Sequence, residues 1–212
     1  SGFHLLAIEI FDDDGASTGI TTVPIEVINI PPTIDPVSPP LPVFEDSPLT
    51  ISISVRDTPG DLENIEICWD LDSTIDTSAS GSTNDDCDYT GPNFEYTWGD
   101  SNSAPSSIIL HVSDDDGATA SVEIPITVRN KAPVALGVIS EESPLEGDVV
   151  ILSAQGSSDT PYDLPNLDYA WDLDIMSDSD GDGDPGNDRD LIGYSIQTMF
   201  NKEGTRVVRL IV

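Results

Sequence analysis

"DTPYDLPNLDYAWDLD" (Asp159 to Asp174) lies over "DTPGDLENIEICWDLD" (Asp57 to Asp72) without a gap, 102 positions apart. The register continues through the loops that follow. Asp76 falls on Asp178, Asp86 on Asp188, Asp88 on Asp190 and Gly91 on Gly193. The same offset carries "FDDDGAST" (Phe11 to Thr18) onto "SDDDGATA" (Ser113 to Ala120). A fixed period of this kind marks a chain built from copies of one folding unit. It predicts a complete unit over 33–132, the C-terminal strands of a preceding unit over 1–32, and the N-terminal part of a following unit over 133–212. "VPIEVINIPP" (Val23 to Pro32) and "EIPITVRNKAP" (Glu123 to Pro133) each hold Asn then Pro, which suits extended joins between units. The chain opens just before the strand-like run "FHLLAIEIF" and closes on another, "TRVVRLIV". It therefore reads as a segment of something longer, and the lack of a targeting signal carries no information.

Within a unit, apolar residues alternate with polar ones. Ile51, Ile53 and Val55 share one face of a strand, as do Ile65, Ile67, Trp69 and Leu71. Ile108, Leu110 and Val112 form a third set, and Val122, Ile124, Ile126 and Val128 a fourth. Period two gives one buried and one wet face. Several such strands per unit, separated by turn residues, predict an all-β chain of β-sandwiches. Trp69 and Trp171 fall on the apolar face and are expected in the core.

The motif order resembles that of polycystin-type PKD domains. "EGDVVILSAQGSSDTPYDLPNLDYAWDLD" is followed by "FNKEGTRVVRLIV" and, in the other copy, by "VSDDDGATASVEIPITVRN". These match the family's opening strand, "SSD" turn, tryptophan strand, "F-x-x-x-G" strand and "D-x-D-G-A" hairpin. The resemblance implies tandem Ig-like sandwiches, one complete and two partial here, on a cell surface or in a secreted protein. It implies a binding, spacing or adhesive role and no catalytic residues. The chain departs from the family after the tryptophan strand, where a long acidic loop replaces a short turn.

The formal charge is −33, with 40 acidic residues against 7 Lys plus Arg. Nothing basic is available to displace counterions from phosphates, which argues against nucleic acid and anionic lipid as partners. No apolar stretch is long enough to cross a membrane. Two readings of the acidity stand together: a solvated coat that keeps the chain soluble, and divalent cation binding.

The second reading centres on "DSDGDGDPGND" (Asp178 to Asp188). Asp178, Asp180 and Asp182 hold positions 1, 3 and 5 of a D-x-D-x-D-G pattern, with Gly183 at position 6. Ca²⁺ is a hard ion that takes six to eight oxygens, and a loop curling around it turns every second side chain inward. The stretch resembles EF-hand loops and, more closely, those of thrombospondin type 3 repeats. It lacks Glu at position 12, where Arg189 stands, so Asp188 or Asp190 would close the shell. The expected Ca²⁺ ligands are Asp174, Asp178, Asp180, Asp182, Asp184, Asp188 and Asp190, the alternative being an unliganded loop. Mg²⁺ prefers to keep its waters. Zinc lacks its usual Cys or paired His; His4 and His111 stand alone on strands and are expected at the surface.

The matching loop of the complete unit keeps Asp72, Asp76, Asp86 and Asp88. It has Ser78, Ser80 and Gly81 in place of Asp180, Asp182 and Gly183, so weaker calcium binding, or none, is expected there. It carries Cys87, with Cys68 on the polar side of the tryptophan strand; the other copy has Arg189 and Ala170 at these positions. Cysteines that come and go as a pair suggest a disulfide in an oxidising, extracellular setting, the alternative being two free thiols. The "DDDG" turns have a sufficient explanation as hairpin signals, with a metal site as the alternative. Asn29 and Asn130 at the joins are weaker hints of the same kind.

Three functions are compatible with these residues. The first is a calcium-stabilised structural or adhesive segment whose partners are calcium and neighbouring domains of its own chain. The second is an accessory module that holds a glycan or protein for a secreted hydrolase. It would need an exposed aromatic strip, for which Tyr89, Phe94, Tyr96 and Trp98 are the candidates, although Trp98 falls on Phe200 and points to core. The third is an enzyme, for which paired carboxylates exist but no nucleophile, base and orienter stand out.

Overall fold

The computed structural model describes residues 2–77, 79, 83 and 86–212; Ser78, Ser80 and Gly81 lie outside the described residues. The described residues contain no α-helix, three short 3-10 turns, and eighteen strands. In chain order the first six are β1 (Gly2–Ile8), β2 (Thr21–Val27), β3 (Thr33–Ile34), β4 (Val43–Phe44), β5 (Leu49–Ser52) and β6 (Val55–Arg56). Then come β7 (Glu66–Asp70), β8 (Tyr89–Thr90), β9 (Asn93–Tyr96), β10 (Ser107–Ser113), β11 (Thr119–Pro125) and β12 (Val128–Arg129). The last six are β13 (Val138–Ile139), β14 (Val149–Ser153), β15 (Ala170–Asp172), β16 (Leu191–Ile192), β17 (Ser195–Met199) and β18 (Arg209–Ile211). No described helix is long and apolar enough to cross a membrane.

The chain divides into two compact units. One comprises Ser1–Pro42, Pro48–Tyr96 and Pro105–Thr127; the other comprises Val43–Ser47, Thr97–Ala104 and Val128–Val212. In the first, β11, β10, β7 and β8 form a four-stranded antiparallel sheet, while β5 pairs with β9 and β3 with β6. Alternation decides the faces. Ile108, Leu110 and Val112 of β10 are buried, with residues of intermediate exposure between them. Trp69 of β7 is fully buried, and its ring centre lies 4.9 Å from that of Phe94 on β9. The two sheets therefore meet face to face, with Leu49 and Ile51 of β5 in the same core. Strands β7, β10 and β11 pair in one sheet while β5 pairs with β9 in the other, which is a Greek-key order. The topology is Ig-like. The β1–β2 hairpin belongs to this unit, and its apolar residues, such as Phe3, Leu5 and Ile25, are exposed.

The second unit repeats the plan. Strands β13, β14 and β17 form one sheet, and β16, β15 and β18 another. Trp171 of β15 packs with Val150, Leu152 and Ala154, and Leu210, Ile196 and Phe200 close around them. Fully burying an aliphatic or Phe side chain of this kind contributes about 1.5–3 kcal/mol. In this unit β4 and β12 also pair, in parallel. Both tryptophans thus lie where period two puts them. Each indole N–H donates to a backbone carbonyl, Trp69 to Gly91 at 2.8 Å and Trp171 to Gly193 at 3.0 Å.

Two registers differ from the uniform offset of 102. Trp69 stands opposite Leu110, but Trp171 stands opposite Leu210, where a constant offset would require position 212. The connection after Phe200 is thus two residues shorter than its counterpart. Leu49 stands opposite Tyr96 but Val150 opposite Thr198, so β5 and β14 lie 101 positions apart; from Asp57 and Asp159 to Gly91 and Gly193 the two copies match position for position.

Candidate metal sites in the acidic loops

The loops leave the tryptophan strands at Asp70 and Asp172 and return at Asp88 and Asp190. Their ends are fastened by one scheme in both copies. Asp190 Oδ2 accepts the Leu173 amide at 2.8 Å, as Asp88 Oδ2 accepts that of Leu71 at 2.8 Å. Asp188 Oδ2 accepts the Ser179 amide at 2.6 Å, as Asp86 Oδ2 accepts that of Thr77 at 2.6 Å. The Ser179 and Thr77 hydroxyls donate to Asp190 and Asp88, at 2.6 and 3.3 Å. Asp172 Oδ1 accepts from the Asp174 amide at 3.0 Å and Asp70 Oδ1 from that of Asp72 at 2.9 Å. Carboxylates suit this task because a loop of this length has many backbone N–H groups that need acceptors.

At the tip of the second loop, Asp178, Asp180 and Asp182 each offer an oxygen within 4.8 Å of the others, and all three are exposed. Gly181 and Gly183 make the bend, with φ of +79° and +99°, in the region that disfavours side chains. Asp178 accepts the amides of Gly181 at 2.6 Å and Gly183 at 3.0 Å. The amide of Asn187 donates to Asp182 at 2.9 Å and holds its pKa below the usual range. Asp180 accepts the Asp182 amide, which favours its charge. Burial and the charges of Asp182, Asp188 and Asp178 outweigh that bond and raise its pKa.

The other four expected ligands have separate engagements. Asp174 pairs with Arg206 at 2.7 Å. Asp184 accepts the Gly186 amide at 3.0 Å. Asp188 is fully buried against Ser179, and Asp190 holds Leu173. A cation at the tip therefore has three convergent side chains at hand, and Asp184 is the next along the chain. Ca²⁺ takes six to eight oxygens, so an ion held there would draw the remainder from backbone carbonyls and water.

In the first loop Cys68 and Cys87 are joined as a disulfide, with Cα atoms 5.2 Å apart. That separation lies within the span of such bridges.

Further acidic groupings lie elsewhere. Asp114 Oδ1 accepts the Ala118 amide at 2.8 Å, and Asp12 Oδ1 that of Ala16 at 2.7 Å, so each "DDDG" turn is capped by its first aspartate. The two residues that follow, Asp115 and Asp116, converge with Asp61 within 4.8 Å. The Asn29 side-chain amide donates to Asp114 at 2.7 Å and lowers its pKa. Glu45 is buried. Its oxygens accept the amides of Lys131 and Ser101, both at 2.8 Å, and these bonds hold its pKa below the usual value in spite of burial.

His4 is exposed as expected, but His111 is not a surface residue. It is half-buried on β10, and its Nε2 has no hydrogen-bond partner. Among the aromatic candidates, Phe94 and Trp98 are buried, at 1% and 7% exposure. Tyr89 and Tyr96 are exposed, with ring centres 5.6 and 6.4 Å from that of Phe94. A surface cavity of about 740 Å³ is lined by Phe200, Lys202, Arg206 and Glu146 among others.

No protein-family model matches the sequence, and no curated protein matches it. Solved structures do align. The chain is similar to a crystal structure of the Dpr11 first Ig domain bound to DIP-gamma, at 12% identity and TM-score 0.36, over 57% of this chain and 70% of that one. It is similar to the N-terminal eight Ig domains of Down syndrome cell adhesion molecule, at 14% identity and TM-score 0.37, over 94% of this chain and 31% of that one. It is also similar to Dpr2 Ig1–Ig2 in complex with DIP-Theta, at 15% identity and TM-score 0.34, over 92% and 62%. Strand order, not these scores, carries the Ig-like assignment.

Proposed function

We propose that this chain is a calcium-stabilised, non-catalytic segment of a larger extracellular or cell-surface protein, in which tandem sandwiches space, stiffen or adhere. The observation that carries this reading is the convergence of Asp178, Asp180 and Asp182 at an exposed loop tip. Three carboxylates at such separations repel one another unless a cation sits among them. Ca²⁺ bound there favours the folded loop by mass action, so rigidity follows external calcium. The Cys68–Cys87 bridge suits the same oxidising compartment. The resemblance to PKD domains favours a tandem, surface-borne unit. Differential scanning calorimetry with CaCl2 and with a chelator tests the reading: Tm rises with Ca²⁺ in the parent chain. The double substitution Asp180→Asn with Asp182→Asn reduces that rise. Equal melting with and without Ca²⁺ rejects the metal role.

A second reading, an accessory module that holds glycan or protein, is favoured by one observation. Tyr89 and Tyr96 are exposed, with ring centres 5.6 and 6.4 Å from that of the buried Phe94. A glycan array probed with the parent chain and with Tyr89→Ala/Tyr96→Ala decides it: signal that vanishes in the variant supports a binding face, and a blank array removes it.

A further inference from the structure

We infer that a hard divalent cation, Ca²⁺ by its oxygen donors, binds at the foot of each acidic loop, on Asp172, Asp188 and Asp190 in one copy and on Asp70, Asp86 and Asp88 in the other. This site uses none of the tip carboxylates Asp178, Asp180 and Asp182.

The observation that points to a ligand is an orphaned atom that occurs twice. Asp172 and Asp70 are the last residues of their tryptophan strands and are both fully buried. In each, Oδ1 is satisfied by an amide two residues on, and Oδ2 is buried with no hydrogen-bond partner. A buried carboxylate oxygen without a donor is costly, and neighbouring negative charge makes it more so. Such charge is present in both copies. Asp188 and Asp190 both bond to Ser179, and Asp190 also takes the amide of Leu173, the residue after Asp172; Asp86 and Asp88 do the same with Thr77 and Leu71. Asp188 and Asp86 are themselves fully buried, whereas Asp190 and Asp88 lie at the exposed rim. Each foot thus has two interior carboxylates and a third that is exposed.

Nearby protein cations do not fill the gap. Arg209 stands opposite Asp172 in the sheet, but its guanidinium donates to the Gly186 carbonyl. His111, on the neighbouring strand, has a buried Nε2 that is also unpartnered. The foot carboxylates do not close to within 4.8 Å of one another as the tip group does. An ion with ligands at about 2.3–2.6 Å would draw them in or complete its shell with water. The two loops differ in the residues that make the tip, "DSDGDGD" against "DTSASGS", and agree in the foot. A tip that changes over a foot that repeats is what a second, independent ion site would leave.

The test is calcium titration of the full chain by isothermal calorimetry, with Tb³⁺ luminescence excited through tryptophan as the second readout. Asp172→Asn and Asp70→Asn should each weaken one Ca²⁺ equivalent by roughly tenfold or more, and Asp190→Asn should reproduce the Asp172→Asn result. With chelator present, Asp172→Asn should melt no lower than the parent, because the amide removes an uncompensated buried charge. The Asp180→Asn/Asp182→Asn variant should keep both foot equivalents. If Asp70→Asn and Asp172→Asn leave Ca²⁺ stoichiometry and affinity unchanged, the foot oxygens hold protons instead, and the inference is overturned. Loss confined to the tip variant would leave the proposed function standing without the foot sites. Loss confined to the foot variants would do the reverse.

Discussion

Asp188 is buried under its own loop and takes the Ser179 amide on Oδ2 at 2.6 Å and the Asp180 amide on Oδ1 at 3.3 Å. One side chain thereby ties the rising limb of the loop to the returning limb. Asp188→Ala removes the acceptor and leaves two amides to find water. Urea denaturation should show a loss of about 1–3 kcal/mol. A loss below the error of the measurement would show that the loop does not depend on this residue.

The Cys68–Cys87 bridge closes the corresponding loop in the other copy, over a separation of 19 residues. Cys68→Ser with Cys87→Ser should lower stability by about 2–4 kcal/mol through the added freedom of the unfolded chain. Comparative melting of the parent with and without reductant checks it. The second copy, which has Ala170 and Arg189 at these positions, should melt independently of reductant.

Trp69 and Trp171 anchor equivalent cores and each donates its indole N–H to a backbone carbonyl. Trp69→Ala or Trp171→Ala should cost about 3–5 kcal/mol from the cavity left behind. Trp→Phe should cost less but leave the carbonyl of Gly91 or Gly193 without that donor. Chemical denaturation followed by the remaining tryptophans measures both.

The Asn29–Asp114 contact makes a pH-dependent contribution with a definite sign. Asn29 donation comes first among the causes that hold the Asp114 pKa below its ordinary value. The stabilisation is therefore present above the unfolded value of about 3.9 and lost as pH falls through the lower folded value. Carboxyl ¹³C NMR should find Asp114 titrating below the usual range, and moving upward in Asn29→Ala. An unmoved titration would show that the turn's own amides set the value.

Much of the fold was legible in the residues. Ile108, Leu110 and Val112 alternate along the chain and are buried in the sheet, and the tryptophans repeat at one offset. The register slip at Leu210 was not legible, because the matched motifs end at Gly193 and the shortening lies in the turn beyond them. Of the loop aspartates, Asp178, Asp180 and Asp182 converge as their spacing suggests. Asp174 is drawn off by Arg206, a residue 32 positions later that no local pattern connects to it. Asp70 and Asp172 escaped notice for a different reason. They occupy polar positions in alternating strands, which ordinarily means a wet face, yet both are fully buried. His111 holds the same kind of position on β10 and is half-buried.

The bridge from Cys68 to Cys87 also bears on how such a chain behaves when pulled from its ends. A covalent shortcut keeps the intervening residues from paying out, which withholds roughly 65 Å of contour length from one copy while its unbridged neighbour can release the same stretch. Two repeats built on one template would then act as springs of unequal reach, and a change of redox state would equalise them.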